Sequence, residues 1–127
     1  MKMDIRTRED VELMVSSFYD NVMEDVMLAP IFISTTGIDM IKLHSRMSDF
    51  WEDQLFGTSK YDGNPMMKVH IKLSERIAIN GDLFDIWLNL FNSTVNSNFE
   101  GSRASLAKEQ ALNIATIMRV KMRMAHA

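Results

Sequence analysis

The sequence contains no cysteine. That removes disulfides, zinc–thiolate sites and iron–sulfur clusters, and it agrees with a reducing cytoplasmic setting. An excess of positive charge is lacking too: 14 Lys and Arg stand against 17 Asp and Glu, a formal charge of −3. Nothing in that balance points to DNA or RNA as a partner. No stretch approaches the roughly 18 apolar residues that read as a membrane span. Residues 1–10 alternate charges without an apolar run, so no signal peptide is expected. Internal repeats, low-complexity segments and strand patterns are also missing.

What is present is a chain of 127 residues, 46% apolar and 24% charged. It is expected to form one folded domain over 1–127. At this size a large bound group can make up part of the core. Methionine is abundant, with 12 residues. Its flexible, polarizable side chain fills irregular gaps, either around a flat ligand or in a loosely packed helical core.

Apolar spacing of three and four predicts four long helices. The first covers 7–26, with Thr7 and Asp10 as a capping box and Val11, Met14, Val15, Phe18, Val22 and Val26 turned inward. Tyr19 lies on the same stripe, so its phenol needs a partner: a backbone carbonyl, or a ligand. The second covers 39–55. Leu43, Met47, Phe50 and Gln54 form one stripe; His44, Met47, Trp51 and Leu55 form its neighbour, rotated by about 100°. The third covers 82–99, with Leu83, Phe84, Trp87, Leu88, Leu90, Phe91, Thr94 and Val95 on a broad apolar face. Gly101-Ser102 breaks it. The last covers 103–124, with Ala104, Ala107, Ala111, Ile114, Ala115, Met118 and Met122 inward. Its small residues let another helix approach closely.

Between the second and third helices lies a long connection, 56–82. It holds one short apolar piece, Met66-Met67-Lys68-Val69-His70-Ile71-Lys72-Leu73, after a Gly63-Asn64-Pro65 turn. A plain four-helix bundle has no use for such a loop. By itself the stretch favours a loop histidine over a ligand.

Taken together, the residues resemble a group III truncated haemoglobin, a bacterial globin with two helices packed over two. The pieces that carry this are Phe18-Tyr19, Pro30-Ile31-Phe32, Met47 through Phe50-Trp51, Leu55-Phe56-Gly57, Tyr61-Asp62-Gly63-Asn64-Pro65, His70, the run Phe84 to Phe91, Thr94-Val95, and Ala111 with Ile114 to Met118. They occur in the family's order along nearly the whole chain. The resemblance implies an all-α truncated globin fold around a haem. In that frame His70 matches the proximal histidine that binds iron. Tyr19 matches the distal hydrogen-bond donor, and Trp87 the tryptophan at the haem edge near the ligand. Phe32 matches the aromatic packed on the porphyrin, and Leu43, Met47 and Phe50 the helix positions over it. Lys68 and Lys72 match propionate partners by charge and location alone, with surface solvation an equal reading. The resemblance implies haem b as the cofactor; without cysteine neither a thiolate ligand nor covalent CxxCH attachment is available.

The order Leu43-His44 departs from the His-Leu common in the family, and the spacing from Pro65 to His70 is one residue longer. With the helix anchored on Phe50-Trp51, Leu43 faces the haem. His44 then lies beside the haem or against a neighbouring helix. A register shift by one would instead place His44 over the iron.

The resemblance implies reversible binding of O2, CO or NO, with slow oxygen release because Tyr19 and Trp87 donate hydrogen bonds. A second reading is a nitric oxide dioxygenase or peroxidase-like enzyme, which needs a separate reductase. A third is a helical interaction module without a cofactor.

Overall fold

The structure, a computed structural model, describes residues 2–30, 40–61 and 82–125. Four long helices stand in it: α1 Arg8–Glu24, α2 Met40–Phe56, α3 Asp82–Asn98 and α4 Ser102–Ala125. There is no strand among the described residues. Helix α1 packs on α2 and α3 on α4, while α1 also meets α3 and α2 meets α4. This is a two-over-two arrangement. No helix among the described residues is long and apolar enough to cross a membrane.

The first helix begins as its sequence predicts. The Thr7 side chain accepts from the Asp10 N–H, and the Asp10 carboxylate accepts from the Thr7 N–H, which satisfies two orphan donors. Its end differs from the expectation. Helix α1 stops at Glu24, and Val26, expected on the inward stripe, is 85% exposed. The cause is Asp25. It adopts extended backbone, and its carboxylate accepts from the N–H groups of Met27 and Leu28. A side chain that opens a new helical turn in this way ends the old one. Helical backbone accordingly resumes at residues 28–30.

The interior is one connected cluster. It holds Val11, Met14, Val15, Phe18, Tyr19 and Val22 of α1, and Leu43, Met47, Trp51 and Leu55 of α2. From α3 and α4 it adds Phe84, Phe91, Val95, Ala104, Ala107, Ala111 and Met118. Ala107 and Ala111 are fully buried, and their small side chains let α4 approach its neighbours closely. On α2 the stripe expected from Leu43 to Gln54 is only partly inside. Leu43 and Met47 are buried, Phe50 is half-buried, and Gln54 is exposed.

Two side chains fasten the elements from a distance. Asp4 accepts from the N–H groups of Arg103 and Ala104 and from the Ser102 hydroxyl, so it caps α4 from the other end of the chain. Asp53 accepts from the N–H groups of Lys60 and Tyr61. It thereby folds the segment after α2 back onto that helix. Tyr61 then lies edge-on to Phe50, with ring centroids 5.6 Å apart.

Candidate functional site

The site grows from Phe18 and Tyr19. Neighbours on a helix differ by about 100° in direction, so only a broad apolar face can bury both, and α1 buries both. Burial raises the pKa of the Tyr19 phenol, because a phenolate would lose its hydration. The hydroxyl therefore keeps its proton and can donate a hydrogen bond.

Around Tyr19 stand rings from three helices. Phe18 lies 5.3 Å away at 60°. His44 of α2 lies 5.2 Å away and nearly parallel, at 19°. Phe18 passes the contact to α3, where Trp87 meets it edge-on at 5.8 Å and Phe91 at 5.3 Å. Trp87 and Trp51 both stack on Phe91, at 6.2 Å and 5.0 Å. Offset and edge-to-face pairs of this kind each stabilise by about 0.5–1.5 kcal/mol beyond burial.

Nε2 of His44 is buried and has no hydrogen-bond partner. The same imidazole borders a groove of about 430 Å³ whose walls include Arg8, Glu12, Ser16 and Ser48. Arg8 bridges its sides, bonding Asp49 at 2.7 Å and Glu12 at 2.9 Å. Asn21 donates to the Thr94 hydroxyl at 2.9 Å, which fixes α1 against α3 two residues beyond Tyr19.

Of the residues expected at the site, the structure brings Tyr19 and His44 into contact and joins Trp87 to them through Phe18. Leu43 and Met47 are buried on α2. Phe50 is half-buried against Trp51 and Tyr61. Phe32, Lys68, His70 and Lys72 lie outside the described residues. Sequence reasoning placed Phe18 and Phe91 in the core without seeing that they carry the link between Tyr19 and the tryptophans. Their positions on inward stripes, next to Tyr19 and one turn from Trp87, were the available signal.

A family model described as bacterial-like globin matches residues 4–124. The chain belongs to the bacterial-like globin family. Its likeness to group III truncated haemoglobins extends over its length. The "Group 3 truncated hemoglobin ctb" of Campylobacter jejuni is 28% identical over 119 residues, 91% of each chain. The crystal structure of the group III truncated haemoglobin from Campylobacter jejuni superposes with a TM-score of 0.78 at 24% identity. That match covers 96% of this chain and 95% of the other, and it establishes the truncated haemoglobin fold. The "Group 1 truncated hemoglobin GlbN" of Synechocystis is 35% identical over 75 residues, 59% of this chain and 58% of its own.

Membership of a globin family implies haem and a small gas as ligand. Two observations in this globin fit that pair. The buried Nε2 of His44 has no hydrogen-bond partner, and such a group is costly unless something polar comes to meet it. On the other side the rings of Phe18, Tyr19, Trp87 and Phe91 and the buried Leu43 and Met47 supply the aromatic and aliphatic surface that a flat apolar macrocycle requires.

Proposed function

We propose that this globin binds haem b through His70 and reversibly holds a diatomic gas, O2, CO or NO, on the side of Tyr19. Haem supplies an iron with one position open to the gas. The protein's part is to exclude water and to aim donors. Tyr19 is the principal donor, since burial keeps its hydroxyl protonated. Trp87, half-buried and linked to Tyr19 through Phe18, is the second, through its indole N–H. Leu43, Met47 and Phe50 cover the macrocycle, Phe32 packs on it, and Lys68 and Lys72 meet its carboxylates. Oxygen gathers negative charge when held in such a site, so these donors slow its release.

The observation that carries this reading is the buried phenol of Tyr19 in a chain that matches a globin family from residue 4 to 124. An absorption spectrum of the purified protein tests it. A Soret band that shifts when the reduced protein meets carbon monoxide is expected. A colourless protein that takes up no added haem would overturn it.

A further inference from the structure

Charged residues make up 24% of the chain, yet parts of two neighbouring helices carry none. No residue is charged from Ile86 to Asn98 on α3, or from Gln110 to Met118 on α4. Two side-chain ties set these helices level with each other. Lys108 donates to the Asn96 side chain at 2.8 Å, and Arg119 pairs with Asp85. The helices therefore run antiparallel, and between the ties their uncharged stretches lie side by side. Residues three and four apart share a helix face. The strip between the ties accordingly presents Asn89, Asn92 and Ser93 of α3 beside Leu112 and Thr116 of α4, with Val120 next on the same stripe. Leu112 is 51% exposed and Val120 49%. Thr116 donates its hydroxyl to the Leu112 carbonyl at 2.8 Å, so its one polar side-chain group is satisfied within the helix. Asn92 is half-buried, and its Oδ1 has no hydrogen-bond partner.

We propose that two copies of the chain associate through this face, α3 against α3 and α4 against α4, about a two-fold axis that crosses the helices. A two-fold contact sets a patch against itself, so a charge near the axis meets its like. An uncharged centre avoids that repulsion. A carboxamide both donates and accepts, so Asn89 of one copy can pair with Asn92 of the other. The amide torsion of Asn is broad. Turning Oδ1 of Asn92 to a donor on the second copy removes the cost of leaving it unpaired. Charge returns at the two ends of the strip, with Lys108 and Glu109 at one and Asp85 and Arg119 at the other. An axis crossing the helices lays one end on the other, so opposite signs meet at both rims around an uncharged centre. A reductase would be steered by charge, which the middle of this face does not offer. Only parts of two helices take part, which suits the small end of interface sizes, below about 1,200 Å² in total. The pair is therefore expected at protein concentrations of about 10–100 μM. This inference stands apart from the haem reading.

Sedimentation equilibrium of the purified globin tests it. The parent should fit a monomer–dimer equilibrium that persists at high salt, since screening acts on charges and the centre has none. Leu112→Lys sets like charges near the axis and should raise the dissociation constant at least about ten-fold. Asn92→Asp, which keeps the shape of the side chain, should weaken the pair in the same direction. Leu13→Lys changes a residue of α1 that is 48% exposed and should leave the pair intact. The thermal midpoint of each variant shows that its fold is kept. A parent that is monomeric at about 100 μM would overturn the proposal, whether or not another protein binds this face. So would a folded Leu112→Lys that pairs as the parent does, or an equal loss of pairing in Leu13→Lys.

Discussion

Tyr19 is the residue on which the proposed gas affinity turns. A hydrogen bond to a partly charged partner stabilises by about 1.5–3 kcal/mol. Tyr19→Phe removes only the hydroxyl from a ring that stays packed between Phe18 and His44. Oxygen dissociation should then accelerate by roughly ten- to hundred-fold, since about 1.4 kcal/mol is a factor of ten. Carbon monoxide carries less charge when bound and should respond less. Equal acceleration of both gases in stopped-flow measurements would mean that Tyr19 acts by packing alone. At this scale the sequence was legible where chemistry is local. Tyr19 stood on an inward stripe, and its need for a partner followed from the phenol. The nearly parallel stack with His44 was not legible, because it depends on how α1 and α2 cross, and no spacing within either helix encodes that. His44 lies against the neighbouring helix α1, at the Tyr19 ring.

Helix ends show the same division. The capping box of Thr7 and Asp10 was readable because both partners fall within one turn. The cap of α4 was not, because Asp4 comes from a site almost a hundred positions away. The early end of α1 was misread because Asp25 can serve either as a helical residue or as the cap of the next turn. Asp4→Ala should expose the first N–H groups of α4 and lower stability by about 1–2 kcal/mol in thermal or urea unfolding. Gly101→Ala should destabilise as well. Its φ is +147°, and an added Cβ would sit 2.5 Å from the Asp4 side chain, so both backbone strain and the displaced cap contribute. An unaltered midpoint in either variant would remove Asp4 from the account of α4.

Asp4 also predicts a dependence on pH. Partial burial alone would raise its pKa, but hydrogen bonds from Arg103, Ala104, Ile5 and Ser102 outweigh burial and hold it below 3.8. Burial alone would raise the Asp53 pKa too, but hydrogen bonds from Thr58, Lys60 and Tyr61 and the charge of Lys60 together outweigh it and lower it. A carboxyl held lower in the folded state stabilises the protein above its unfolded pKa, and that contribution is lost as pH falls through the folded pKa. Acid should therefore weaken the protein progressively below about pH 4. In Asp4→Asn that part of the loss should shrink. An unfolding free energy with the same slope against pH in parent and variant would contradict the assignment.

At the scale of the whole molecule, helical periodicity gave the four long helices to within a few residues, because each buries a face whose spacing is written locally. The two-over-two packing was not visible in that periodicity; it entered through the resemblance, since apolar stripes do not say which partner they meet. The long connection between α2 and α3 stood out as purposeless in a plain bundle, and a haem ligand at His70 gives it a purpose. A group that binds only the native state adds its binding free energy to stability. Added haem should thus raise the unfolding temperature of this globin, and chemically stripped protein should melt lower and more broadly.

The most direct test of the account is the haem content of purified His70→Ala beside that of His126→Ala, read from the Soret band and from extracted haem per chain. If His70 is the protein's bond to iron, His70→Ala loses haem or holds it weakly, and His126→Ala binds it as the parent does. A His70→Ala protein with full haem content and an unaltered spectrum would contradict the central claim.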